Sequence, residues 1–254
     1  MTSGLFDVAG KSALVTGGSR GIGRMIARGL VDAGMTVYIS SRNVEACELA
    51  AKELSENGTC VALPADLSRY EECSSLGAAL TECTSELHLL VNNAGAIWSA
   101  DLESFPAAAW DKVLDVNLKA PFFLIQLLLP LLSAAASEED PARIINIGSV
   151  YGIQAAVLNT FSYAASKAAL HHLTRVVARE LGPRHITVNA VAPGPFESRM
   201  YSPREDGADE EHAPLQRMGR PDDIVGVTQF LASRAGAFVT GAVIPVDGGR
   251  STTR

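Results

Sequence analysis

Thr16-Gly17-Gly18-Ser19-Arg20-Gly21-Ile22-Gly23 stands between an apolar run, residues 12–16, and an amphipathic run, residues 21–33. The pattern T-G-x-x-x-G-x-G at a strand-to-helix junction has a mechanical meaning. Glycines lack Cβ atoms, so the chain turns tightly and its backbone approaches a pyrophosphate at a helix N-terminus, where unpaired N–H groups and the dipole favour negative charge. Gly17, Ser19, Arg20, Gly21, Ile22 and Gly23 are therefore candidate cofactor-binding residues. A glycine cluster alone signals only a tight turn; its place between strand and helix is what points to a nucleotide.

The same alternation continues outward. Strand-like runs at 36–40, 60–63, 87–91, 143–148, 187–192 and 242–246 alternate with helical runs at 44–56, 69–86, 107–132, 163–181 and 222–232, the pattern of parallel βαβ units. Ala13-Leu14-Val15 and Ile144-Ile145-Asn146-Ile147 are apolar at successive positions, as strands covered on both sides must be. The expected class is α/β: a single-domain, doubly wound Rossmann fold over residues 1–254, with a seven-stranded parallel sheet and helices on both faces. Two biased stretches, 133–140 and 204–211, read as surface loops. The second carries Glu205, Asp206, Asp209, Glu210 and Glu211 and lies within a candidate substrate lid at about 195–216.

Composition narrows the function. The chain has 254 residues, is 47% hydrophobic and 19% charged, and carries a net charge of −7. Disorder is excluded as a global description, and an acidic chain offers no basic field to a nucleic-acid backbone. Cys47, Cys60, Cys73 and Cys83 form no C-x-x-C pair, and neither they nor the histidines show metal-ligand spacing, so free packed thiols and no metal site are expected. The start lacks a basic segment followed by a long apolar one. Residues 120–132 are interrupted by Pro121, Gln126 and Pro130 and read as a buried helix rather than a membrane span. A cytoplasmic enzyme with no membrane partner is the expectation.

Sites that choose NAD usually place Asp or Glu after the second strand to hold the ribose 2′-hydroxyl. Here Ser40-Ser41-Arg42-Asn43 stands there. With no carboxylate to repel a 2′-phosphate, and with Arg42 and Arg20 to clamp it, Ser41 and Arg42 favour NADP(H). Asp66-Leu67 would flank the adenine and Asn93-Ala94-Gly95 would pass beside the ribose. Further on, Tyr163-Ala164-Ala165-Ser166-Lys167 opens a helix, so the phenol and the ammonium share one face. A nearby cation favours phenolate, which would bring Tyr163 toward the working range of an acid/base catalyst. Ser149, at the end of the fifth strand, is placed to hydrogen-bond the same substrate oxygen.

With Thr16-Gly17, Asn92-Asn93-Ala94-Gly95, Ser149, Tyr163, Lys167 and Pro193-Gly194 in place, the chain resembles the short-chain dehydrogenase/reductase family over essentially its whole length. Arg179-Glu180-Leu181, Ile186-Thr187-Val188-Asn189 and Val246-Asp247-Gly248-Gly249 resemble in particular the bacterial NADPH-dependent β-ketoacyl (3-oxoacyl thioester) reductases, the type associated with rhamnolipid synthesis among them. The resemblance implies that Tyr163 transfers the proton, that Lys167 holds the nicotinamide ribose and tunes Tyr163, and that Ser149 positions the carbonyl. It implies a proton relay at Asn117, and nicotinamide contacts from Pro193, Gly194, Phe196 and Ser198. Ser149 and Tyr163 stand 14 residues apart, one more than is commonest in the family.

The resemblance also implies a homotetramer packed through the helical runs 107–132 and 163–181, which carry more apolar surface than one sheet face needs. Ile97, Trp98, Tyr151, Ile153, Leu158, Phe161, Phe196 and Met200 are candidates for an apolar substrate pocket. The expected partner is a small-molecule, CoA-linked or carrier-linked carbonyl substrate. Reductases of fatty-acid synthesis hold acyl carrier protein with two basic residues. Arg184 matches one and Asp140 stands at the other, so CoA-linked substrates are expected to serve at least as well as carrier-linked ones. A steroid, polyol or xenobiotic carbonyl is the alternative substrate, and a non-catalytic NADP-sensing regulator the alternative class.

Overall fold

The computed structural model describes residues 4–156, 158–196 and 213–251. Seven parallel strands, β1 (Ser12–Thr16), β2 (Thr36–Ser40), β3 (Thr59–Ala62), β4 (Leu89–Asn92), β5 (Ala142–Ile147), β6 (Ile186–Pro193) and β7 (Val243–Val246), form one sheet in the order β3-β2-β1-β4-β5-β6-β7. Alternate residues of one strand serve opposite layers. Ala13 and Val15 pack with Val37 and Ile39 against α1 (Gly21–Asp32), α2 (Val44–Leu54) and α7 (Pro221–Ala232). Leu14, Leu90 and Ile144 pack against α3 (Tyr70–Cys83), α5 (Ala120–Ala135) and α6 (Phe161–Leu181). Both faces are thus covered, which is why the strands read as continuous apolar runs.

Strand order fixes the site. β1 lies between β2 and β4, so the chain leaves the sheet in opposite directions on its two sides and opens a crevice beyond the carboxyl ends of these strands.

The helical run expected at 107–132 differs in detail. It is α4 (Ala107–Leu114), a π-turn at Asp115–Lys119, and then α5, running on to Ala135. Pro121 has no N–H to give the Asn117 carbonyl and its ring crowds that carbonyl, so the widened turn directly before it follows from the sequence. Residues 120–132 form the buried helix expected there, with Pro121 in its first turn and Pro130 inside it. The run Ala107–Ala135 spans 29 residues and is long and apolar enough to cross a membrane by length and composition, yet Leu124, Leu128 and Leu132 are spent against the sheet. Helix α6 begins two residues before Tyr163, which places the phenol inside the first turn.

The remaining helix starts follow local chemistry. Pro221 opens α7, and Asp223 closes its capping box by accepting the N–H of Arg220 at 2.7 Å. At the opposite end of the sheet from the crevice, Arg143 is fully buried, donating to Asp140, to the Pro141 carbonyl and, at 3.0 Å, to the Ser233 carbonyl.

Candidate active site

The glycine turn is tied to the end of β4. The Thr16 hydroxyl accepts the N–H groups of Asn93 at 2.9 Å and Ala94 at 3.0 Å, and the Asn93 amide donates back to the Thr16 carbonyl at 2.8 Å. Gly17 and Gly21 have positive φ, 68° and 54°. A Cβ on Gly23 would lie 2.3 Å from Asn93 Nδ2 and 2.4 Å from the Gly17 carbonyl oxygen, so this position admits no side chain. Helix α1 begins after Arg20 with no side-chain cap and no acidic residue in its first turn. That is the chemistry of an anion cradle.

Around it, Arg20 and Arg42 are exposed and Ser19 and Ser41 are half-buried; Ile22 packs partly against the core. Ser41 donates to the Asn43 carbonyl at 3.2 Å. Asp66 accepts both the N–H and the hydroxyl of Ser68, at 3.2 and 2.9 Å, while the Leu67 side chain is buried in the core. The structure therefore brings every described member of the expected cofactor set to the carboxyl edge, but spends the Leu67 side chain on packing. A dinucleotide fits the residues present: without side chains at Gly17 and Gly23 the turn packs directly on Asn93 and Ala94, and the N-terminus of α1 has no side-chain cap or carboxylate to compete with a pyrophosphate.

Tyr163 and Lys167 lie one helical turn apart on α6, with the ammonium 5.6 Å from the phenol ring centroid. Lys167 is buried and donates to the Ile147 carbonyl at 2.7 Å; burial pulls it down to about 8. Tyr163 departs from expectation. Burial raises the phenol above its ordinary value, and the adjacent Ser149 hydroxyl only partly opposes this. A phenol so placed stays protonated at neutral pH, which suits a proton donor. Ser149 begins the turn Val150–Gly152, its hydroxyl accepting the Tyr151 N–H at 3.2 Å.

Asn117 sits in the π-turn, fully buried, with its amide committed. Oδ1 accepts the Ala96 N–H at 2.7 Å, and Nδ2 donates to the Ala96 carbonyl at 3.0 Å and to Ser166 Oγ at 2.9 Å. Ser166 in turn donates to the Tyr163 carbonyl at 2.7 Å. Both amide hydrogens are spent, so the side chain braces Ala96 against α6 and has no hydrogen left to relay. Thr16 and Ser166 were not singled out from sequence, although each stands inside a motif, directly before Gly17 and directly before Lys167. Their signal was adjacency.

Gly194, directly after β6, packs so closely on Asp247, directly after β7, that a Cβ would lie 2.7 Å from the Asp247 Cβ. The Phe196 ring corrects the expected apolar pocket: it is buried in the core over Gly219, not aimed at a substrate. Phe161 lies edge-on to Phe105, centroids 5.7 Å apart, in a hollow with Leu102, Pro106 and Trp110. Trp98, Ile153 and Leu158 are exposed, and Ile97 and Tyr151 half-buried. Ser198, Met200 and the acidic stretch from Glu205 to Glu211 lie outside the described residues, as does most of the expected lid. Asp140 is not a bare negative charge: Lys11 stands 2.7 Å from it and Arg143 beside it, and these partners hold its carboxyl below the usual range against the opposing effect of burial.

A family model described as enoyl-(acyl carrier protein) reductase matches residues 17–251. The chain belongs to the short-chain dehydrogenase/reductase family of oxidoreductases. It is similar to the rhamnolipids biosynthesis 3-oxoacyl-[acyl-carrier-protein] reductase of Pseudomonas aeruginosa, 51% identical over 249 residues covering 96% of this chain and 97% of that one. The solved Pseudomonas aeruginosa RhlG/NADP active-site complex superposes with a TM-score of 0.95 at 50% identity, covering 98% of this chain and 99% of its own. The 3-oxoacyl-[acyl-carrier-protein] reductase FabG of the same organism is 38% identical over 247 residues, 96% of this chain and 98% of that one.

Proposed function

We propose that this chain is an NADPH-dependent ketoreductase that converts a 3-oxoacyl thioester to its 3-hydroxyacyl counterpart. The observation that carries the reading is the meeting of an uncapped glycine turn with Tyr163, Lys167 and Ser149 at one sheet edge. The likeness to a 3-oxoacyl-[acyl-carrier-protein] reductase supports the substrate class, and the RhlG/NADP complex supports the cofactor. A non-catalytic NADP sensor would have no use for the catalytic side chains on α6 and β5.

Gly17, Ser19, Arg20, Gly21, Ile22 and Gly23 would hold the pyrophosphate, Ser41 with Arg42 and Arg20 the 2′-phosphate, and Asp66 and Leu67 the adenine. Asn93, Ala94, Gly95 and Lys167 would hold the ribose; Pro193, Gly194, Phe196 and Ser198 would hold the nicotinamide. Bound NADPH supplies the hydride that reaches the ketone carbon. Tyr163 gives its phenol proton to the carbonyl oxygen, and Ser149 hydrogen-bonds that oxygen and fixes its direction. The Lys167 ammonium favours the phenolate left behind. Asn117 contributes through its main chain, since Pro121 leaves its carbonyl without the usual helical donor.

The enzyme works as a cytoplasmic homotetramer. Because Lys11 and Arg143 pair with Asp140, repulsion of an acidic carrier at this position is weaker than a bare carboxylate would give, and Arg184 is tied to Ser133 Oγ at 2.7 Å. CoA- and carrier-linked 3-oxoacyl chains are therefore both substrates. The test compares NADPH oxidation with matched 3-oxoacyl-CoA, 3-oxoacyl carrier protein, steroid and sugar ketones. Preference for either thioester is expected. Turnover confined to steroid or sugar ketones would contradict the reading.

A further inference from the structure

Tyr163, Lys167 and His171 follow one another at one-turn spacing along a single face of α6, and only the first two have a part in the chemistry above. His171 is 3% exposed. Its Nε2 faces the backbone N–H of Ser149 at 3.4 Å. The ring fills the space that two glycines leave. A Cβ on Gly148 would lie 2.0 Å from Nε2, and one on Gly152 would lie 2.7 Å from Cε1. The turn carrying Ser149 thus closes around this imidazole at both ends, and Gly152 also rests on the α6 backbone, its Cβ position 2.7 Å from the Lys167 carbonyl carbon.

We propose that His171 is a positioning residue for Ser149: a neutral imidazole, unprotonated at Nε2, that accepts the Ser149 N–H and fixes the 148–152 turn against α6, so that the serine hydroxyl meets the same substrate oxygen as Tyr163. The inference rests on the functional reading above for the role of Ser149, but not for the state of the ring. An acceptor at Nε2 requires the ring hydrogen on Nδ1. Burial first, then the neighbouring charge of Lys167, hold the imidazolium form down to about 4 against a pull from the Gly152 backbone, with Arg175 adding the least. A charged ring would turn a donor toward the Ser149 N–H and place a second cation one turn from Lys167. A histidine therefore serves here because it is small enough to sit between two glycines, apolar enough to be buried and still an acceptor.

The experiment has two independent arms. In the wild-type protein at neutral pH, two-bond ¹H–¹⁵N NMR correlations read the His171 tautomer; the Nδ1–H form is expected, and an Nε2–H ring or an imidazolium would overturn the proposal whatever the enzyme reduces. In the second arm, kcat is measured for wild type, His171→Leu, Ser149→Ala, the double variant and His171→Gln. His171→Leu is expected to lower kcat tenfold or more with NADPH affinity within twofold, His171→Gln to recover most of the loss, and the double variant to be no slower than Ser149→Ala alone. Multiplying effects in the double variant, or equal losses of kcat and NADPH affinity, would mark a merely structural residue. If His171→Leu does not fold, His171→Gln against the tautomer result decides: a Gln variant slower than Ser149→Ala would contradict the proposal.

Discussion

Tyr163 holds its proton because burial penalises the phenolate, and Lys167 holds its charge only loosely, near 8, for the same reason. The two shifts give each direction of the reaction its own pH dependence. Reduction needs the protonated phenol and the charged ammonium, so kcat/KM for the ketone is expected to fall as pH rises above about 8, while the reverse oxidation rises with pH. Opposite slopes in the two directions, measured by nicotinamide absorbance, would check this. Tyr163→Phe removes the transferable proton and is expected to cost about 10²- to 10⁴-fold in kcat with NADPH affinity retained. Arg42→Ala is expected to weaken NADPH by roughly 10- to 150-fold and to leave NADH nearly unchanged, because one charge-assisted contact to the 2′-phosphate is lost. That Tyr163 and Lys167 share one helix face was readable from their spacing. The raised phenol was not, since a lysine four residues away suggests the opposite shift and only the three-dimensional burial reverses it.

Among the elements, the glycine turn and the π-turn do the positioning. Gly23→Ala places a methyl within 2.3 Å of Asn93 Nδ2, so the turn must open and NADPH affinity is expected to drop at least tenfold, read by fluorescence titration. At α7, Arg217 pairs with Asp223 at 2.6 and 3.0 Å, and with the Arg220 N–H it holds the Asp223 carboxyl to about 2. A lowered carboxyl contributes stability above its unfolded value and loses it as pH falls toward the folded one. Asp223→Asn is therefore expected to cost about 1 kcal/mol at neutral pH, as a lost cap does, with the deficit in Tm shrinking below about pH 4. Strands and most helices were legible within a residue or two because the strands are short, mostly apolar runs and several helices are punctuated by Pro, Gly or Asn. The π-turn was hidden: Pro121 announced an interruption, but a break and a widened turn look alike in sequence. Phe196 misled for a related reason, since an aromatic in an active-site loop looks the same whether it faces the core or the crevice.

At the scale of the whole molecule, the sheet order, with β1 between β2 and β4, puts cofactor and catalytic residues at one edge and leaves large apolar side chains exposed on α4, α5 and α6. Trp110, Phe122 and Val176 remain exposed there. A homotetramer built over this surface is expected by light scattering at micromolar concentration, and a monodisperse monomer would contradict it. The doubly wound class was legible from alternation of runs alone, whereas an apolar helix face reads the same whether a sheet or a second subunit covers it. The central claim is that one edge of one sheet reduces a 3-oxoacyl thioester with NADPH through Tyr163. Its most direct test is the initial rate of NADPH oxidation with a 3-oxoacyl-CoA, measured side by side for wild type and Tyr163→Phe at equal cofactor saturation. The account predicts steady oxidation by wild type and a loss of at least about 10²-fold in the variant; equal rates in the two proteins would contradict it.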